Sequence, residues 1–111
     1  MLAHGGSAIG AFSGEALVGI AVLRLRLRQS MAQLAALFVS KDYRRLHVAQ
    51  RLTDEVVRLA QQSGANALYV SATPSESAFG FYTSQGFEPT EQMNEELYSI
   101  EPDDIHMMKP L

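Results

Sequence analysis

Cysteine is absent from this chain, which excludes disulfides, thiolate metal ligands and any acyl-thiol enzyme intermediate. Histidine is scarce. His4, His47 and His106 lie far apart, with none of the i, i+4 or His-x-Glu spacings that build a zinc site, so no metal is expected. No apolar run approaches the roughly 18 residues that a membrane helix needs. The N-terminus lacks a basic segment leading into an apolar core, so the expected location is cytoplasmic, with no membrane partner. An excess of basic residues is lacking as well: the net charge is −3, whereas a nucleic-acid-binding domain is net basic. Internal repeats and low-complexity tracts are absent.

What remains is an ordinary globular composition, 47% hydrophobic and 19% charged over 111 residues, enough for one domain (1–111) with its own core and too little for a second. The charge is unevenly placed. Through Pro74 there are eight Lys/Arg against four Asp/Glu; from Ser75 onward there is one Lys against eight Asp/Glu.

Residues 8–12 and 16–27 are strand-like runs joined by Ser13-Gly14-Glu15, a short glycine-containing loop that predicts a β-hairpin. From Leu23 to Arg28, leucine and arginine alternate strictly, which puts the leucines on one face and the arginines on the other. Those arginines form either a basic face for an acidic ligand or the solvated side of an antiparallel sheet. After a turn at 29–32, residues 33–39 are too apolar for a half-exposed strand and predict a buried central one.

The stretch from Leu34 to Leu59 organises the rest. A strand (34–39) passes through a polar, basic turn (40–45) into a helix predicted over 47–62, whose Val48, Leu52, Val56, Leu59 and Ala60 form one apolar stripe. Asp54 and Arg58 are spaced for an i, i+4 pair, and Gly64 supplies the stop. A helix N-terminus has unpaired N–H groups and partial positive charge, so this junction suits an anion such as a pyrophosphate, with Arg44 and Arg45 adding charge-assisted bonds. A plain surface turn with two solvated arginines fits the same residues. Residues 65–72 predict a strand parallel to 33–39, reached by a right-handed crossover.

A second helix is bounded by Thr73-Pro74-Ser75-Glu76, read as a capping box with Thr73 as N-cap, and by Gly86. Ala78, Phe81, Tyr82 and Gln85 share one face of it. Gly80, mid-helix, costs about 1 kcal/mol against alanine, either because something packs closely there or incidentally. Phe87 begins another strand, 88–96 is an acidic loop or short helix, 97–100 is a short apolar piece, and 105–109 is a last strand ending at Pro110.

Two segments carry a family resemblance. Arg44-Arg45-Leu46-His47-Val48-Ala49 resembles the Q/R-x-x-G-x-G/A signature of the GNAT acetyltransferases, with His47 standing where the pattern has its first glycine. Ser75 to Phe87 resembles the family's N-x-x-A-x-x-F-Y-x-x-x-G-F segment: Ala78, Phe81, Tyr82, Gly86 and Phe87 match, and Ser75 replaces asparagine. Together they cover the chain from about Ala8 onward. The resemblance implies an α/β (α+β) fold, a central mixed, mostly antiparallel sheet with two helices packed on it. It implies acetyl-CoA as cosubstrate and direct acetyl transfer to a small-molecule or peptide amine in a ternary complex.

By the same resemblance, Leu37, Phe38 and Val39 border the pantetheine, with backbone contacts from Leu37 and Val39. Arg44, Arg45, Leu46, His47, Val48, Ala49 and Gln50 surround the pyrophosphate, where the His47 side chain either crowds it or turns aside. Ser75, Ala78 and Phe81 complete the cofactor wall, and Tyr82 is the general acid, its phenol near enough in pKa to a thiol. No general base is evident. Glu88, Glu91, Glu95 and Glu96 are candidates by their place after the catalytic segment, for the proton or for attracting a cationic acceptor, and a solvated acidic face is the plainer reading. The chain is expected to begin at the family's second strand, without the first strand and helices that form the acceptor side. A homodimer is the simplest way to complete that wall and cover the exposed edge. A catalytically silent acyl-CoA-binding or interaction module on the same fold is the alternative function.

Overall fold

The computed structural model of the chain describes residues 2–5, 7–28, 30–43, 47–90 and 103–111. Its strands are β1 (Leu2–Gly5), β2 (Ala8–Ser13), β3 (Ala16–Arg28), β4 (Met31–Val39), β5 (Ala67–Ala72), β6 (Glu88–Pro89) and β7 (Ile105–Pro110), and its helices are α1 (Val48–Gln62) and α2 (Glu76–Ser84). The seven strands form one sheet in the order β1-β2-β3-β4-β5-β7-β6. Every pairing is antiparallel except β4 with β5, as a strand–helix–strand crossover requires. The sequence reading starts the sheet at Ala8; the structure adds β1, which pairs Leu2–Gly5 with Ala8–Ala11 and so occupies that edge.

Apolar periodicity accounts for the core. Leu52, Val56 and Ala60 of α1 are fully buried, and each large side chain so buried contributes about 1.5–3 kcal/mol by transfer. The helix can approach closely because β3 carries Gly19: a Cβ there would stand 3.0 Å from Val48 Cγ1 and 3.1 Å from Leu52 Cδ1. At the far end Gly64 takes φ +92, the left-handed turn that stops the helix.

Several sequence expectations are corrected. α2 begins two residues late. Ser75, extended at φ −129 and ψ 152, is its N-cap and accepts from the Ala78 N–H at 3.2 Å. The Thr73 carbonyl instead accepts from the Ser75 N–H at 2.7 Å in a three-residue turn around Pro74. Arg58 bonds Glu55, not Asp54, since Glu55 is also held by His4 of β1 at 2.7 Å. Leu25, on the expected inner face, is 40% exposed, because the β3–β4 register is irregular between Arg24 and Arg28.

The largest correction concerns β4. Its first half is buried at Ala32, Gln33 and Leu34, but Ala35, Ala36 and Phe38 are exposed, Phe38 by 60%. Parallel pairing with β5 stops at Leu34↔Val70. On the other side, Leu23 pairs with Leu34 and Val22 with Ala36, so Ala35 is one residue in excess. Such a β-bulge bends its strand, and here it turns β4 away from β5. Beyond Leu34, β4 and β5 therefore diverge. Residues 97–100 of the sequence reading lie outside the described residues.

Candidate functional site

The gap between the diverging strands is the site. β4 continues to pair with β3 through Val39↔Gly19, and the Ser40 N–H bonds the Val18 carbonyl at 2.8 Å. Because backbone groups alternate sides along a strand, Phe38 faces β3 with Ser40, while the main-chain groups of Leu37 and Val39 face the gap. α2 flanks the opening from the β5 side, and the first turn of α1 closes its end.

Two adjoining recesses occupy this gap. One, of about 400 Å³, is lined by Leu37, Phe38, Val39, Ala49, Thr73, Ser75, Ser77, Ala78, Phe81 and Tyr82. The other, of about 300 Å³, is lined by residues 34–37, Val70, Ser71, Ala72, Thr73, Ala78, Tyr82 and Asp104. They meet at Leu37, Thr73, Ala78 and Tyr82.

Tyr82 is positioned by packing. Its ring is buried, edge-to-face against Phe81 at 5.3 Å and Phe87 at 5.4 Å between centroids, contacts that favour a single rotamer. Its hydroxyl bonds no described group, yet no described side-chain polar atom is both buried and unpartnered. The hydroxyl therefore opens to the gap. Burial raises the phenol pKa above its ordinary 10, since the apolar surroundings disfavour the phenolate.

At the other end, α1 presents its first turn without a side-chain cap. His47 precedes it at φ 60 and ψ 22, makes no capping bond, and the first turn holds no acidic residue. The N–H groups of that turn lack helical partners and their dipoles are uncompensated. The left-handed His47 backbone explains why the family pattern has glycine there: only glycine takes that conformation without strain. The imidazole is exposed and does not line either recess.

Of the sequence-predicted residues, the fold thus brings Leu37, Phe38, Val39, Ala49, Ser75, Ala78, Phe81 and Tyr82 to one cleft. Val48 turns toward Gly19 and the sheet instead, and Gln50 is exposed. Arg44, Arg45 and Leu46 lie outside the described residues, as do Glu91, Glu95 and Glu96. Glu88 sits on β6, at the edge of the sheet, and is not part of the cleft lining.

The sequence reading missed Thr73, Ser77, Ser71 and Asp104. Asp104 arrives because β7 inserts between β5 and β6 and pairs Ile105 with Ala72, which leaves the preceding residue at the open end of β5. There Ser71 Oγ donates to Asp104 Oδ2 at 3.0 Å. No sequence signal announced this strand order. No group of His, Cys, Asp and Glu side chains suited to a metal occurs among the described residues, and no helix among them is long and apolar enough to cross a membrane.

A family model described as an acetyltransferase (GNAT) domain matches residues 1–99. No curated protein sequence matches the chain. Among solved structures, the PaiA N-acetyltransferase of Thermoplasma acidophilum, crystallised with coenzyme A, is similar at TM-score 0.76 and 20% identity over 94% of this chain and 60% of its own. N-acetylglutamate synthase of Neisseria gonorrhoeae, crystallised with coenzyme A and N-acetyl-glutamate, superposes at TM-score 0.82 with 17% identity, over 95% of this chain and 26% of that one. A GNAT-family acetyltransferase of Staphylococcus aureus matches at TM-score 0.83 and 24% identity, with 94% and 67% covered. The chain thus spans less than two thirds of the length of the first two proteins. These likenesses establish the fold.

Proposed function

The chain belongs to the GNAT acetyltransferase family, and on that premise we propose that it moves an acetyl group from acetyl-CoA directly to an amine acceptor in a ternary complex. One observation carries the reading: the Tyr82 hydroxyl opens where a recess reaching the α1 N-terminus meets a recess reaching the end of β5. The first recess is the cofactor side. The pyrophosphate lies against the amides beginning at His47, Val48, Ala49 and Gln50. The pantetheine runs along β4 where it parts from β5, beside Val39, its amides bonding Leu37 as an added strand would. Phe38, Ser75, Ala78 and Phe81 border it.

In the reaction, the neutral amine nitrogen attacks the thioester carbonyl carbon, the carbon–sulfur bond breaks, the coenzyme A thiolate takes a proton from Tyr82, and the proton lost by the acylated nitrogen passes through solvent to the Tyr82 phenolate. Burial keeps Tyr82 protonated at neutral pH. Cysteine is absent from the chain, which agrees with direct transfer over an acyl-enzyme. A homodimer in the cytoplasm is part of the same proposal.

Coenzyme A at 100 times its dissociation constant should stabilise the fold by about 2.7 kcal/mol. Thiol release from acetyl-CoA with a panel of amines then separates an enzyme from a silent acyl-CoA-binding module. Tyr82→Phe should lower turnover about 100-fold or more with coenzyme A affinity retained; an unchanged rate removes Tyr82 from the mechanism.

A further inference from the structure

The face of the sheet turned away from α1 is apolar and has no described helix over it. Gly19 and Ala21 of β3 face α1, so by alternation Ile20 and Val22 point to the other side. Directly paired residues share a face: Gly10 and Phe38 lie beside Ile20, and Phe12 lies beside Leu17. The Phe12 and Leu17 side chains close over Gly10, at 3.0 and 3.1 Å from where its Cβ would stand. Leu17 is nonetheless 54% exposed and Phe38 60%. Of the two helices, α1 packs on the opposite face and α2 packs against β5. From β1 to β4, four strands at about 4.8 Å spacing and five residues at about 3.4 Å rise give this face an area on the order of 300 Å². An uncharged patch of that size marks an interaction surface.

The geometry points to a second copy of this chain as the occupant, seated face to face about a two-fold axis that lies in the interface and crosses β3 at Ile20. Charge placement selects this arrangement. Glu15, at the hairpin tip, precedes Ile20 by five residues, and Arg24 follows it by four. Both are exposed, and alternation puts Arg24 on the same side as Ile20. The axis runs β3 of one protomer antiparallel to that of its partner, so Glu15 of each meets Arg24 of the other, two pairs of opposite sign flanking an uncharged centre. A parallel arrangement would set Glu15 against Glu15 and Arg24 against Arg24. The apolar centre is about a third to a half of the roughly 800 Å² that each partner of a standard complex buries, and the hairpin tip and the Arg24 end of β3 supply the polar rim. Phe38 also lines the larger recess of the cleft, so the partner borders the cleft on its β4 side. The assignment rests on the homodimer of the reading above and names its interface.

Sedimentation velocity between about 1 and 100 µM should show a dimer that dissociates on dilution. Leu17→Glu should weaken dimerisation at least tenfold. Glu15→Arg alone and Arg24→Glu alone should each do the same, because each brings like charges together twice across the axis. The double exchange, Glu15→Arg with Arg24→Glu, should return the dimer to within about threefold of the unaltered chain. None of these positions lines the cleft, so coenzyme A affinity reports folding in every variant. A dimer indifferent to Leu17→Glu, or a double exchange no better than its single variants, overturns the interface while the homodimer stands. A chain still monomeric at about 100 µM overturns both and leaves acetyl transfer untouched. If that monomer sediments with phosphatidylcholine vesicles and Leu17→Glu abolishes the association, the face belongs to a lipid surface instead.

Discussion

Lys109 Nζ donates to the backbone carbonyl of Gln85 across 2.6 Å and so ties β7 to the C-terminal end of α2. Carbonyls at a helix C-terminus are unpaired and carry partial negative charge, so this ammonium caps the helix that bears Tyr82. The same Nζ would stand 2.7 Å from a Cβ at Gly86, whose φ is +92; glycine is favoured there by conformation, and a Cβ would make the Lys109 side chain move.

Removing that cation should weaken the anchor. Lys109→Met is expected to cost about 1 kcal/mol, the usual value of a charge-assisted bond at a helix terminus. Urea denaturation should show a lower midpoint with an unchanged slope. Gly86→Ala should cost more than a left-handed penalty of about 1–2 kcal/mol, because the added methyl also displaces Lys109.

Gly80 allows the opposite change. Among the described residues a Cβ there meets nothing within 4 Å, so no close packing with them explains this glycine. Gly80→Ala should stabilise the protein by about 1 kcal/mol, seen as a higher thermal midpoint, with coenzyme A affinity unaltered.

His47 is held at φ 60. His47→Gly should release a left-handed penalty of about 1 kcal/mol, partly offset by the greater freedom of the unfolded chain. His47→Ala should give no such gain. Coenzyme A affinity, measured by titration, should stay within a few-fold, since the imidazole lies outside the cleft lining. A substantially weaker glycine variant would show that the imidazole assists binding.

Acid stability should depend on Glu55. Its bond to Arg58 chiefly, together with His4, lowers its pKa from 4.5 to about 2 despite opposing burial. A folded pKa below the unfolded one makes the protein bind fewer protons than the unfolded chain. The resulting stabilisation is complete above pH 4.5 and is lost as pH falls toward 2. Glu55→Gln should flatten the stability profile within that window, by an amount limited by the exposure of Arg58.

Tyr82 sets a limit at the other end of the scale. Burial raises its pKa above 10, so the proton-donor limb of the kcat profile should not descend below pH 10. A descent between pH 7 and 9 that disappears in Tyr82→Phe would contradict the buried environment described for this ring.

Much of this molecule was legible in one dimension, because local physics wrote it there. The apolar stripe of α1, the hairpin loop at Gly14, the stops at Gly64 and Gly86 and the two family segments each depend on residues near one another in sequence. The gathering of Leu37, Ala49, Ala78 and Tyr82, from segments far apart in sequence, was an expectation of the resemblance and not of any local pattern. Three features were decided only when distant segments met. The excess residue at Ala35 becomes a bulge only against the β3 register, and it turns the second half of an expected central strand away from β5. Glu55 is chosen over Asp54 because β1 supplies His4 from 51 residues away. Asp104 reaches the cleft because β7 pairs beside β5, placing it on Ser71, 33 residues earlier. Periodicity reports which way a side chain faces along its own strand or helix; which strand lies next to it is set by pairing across the sheet, and that relation has no local signature.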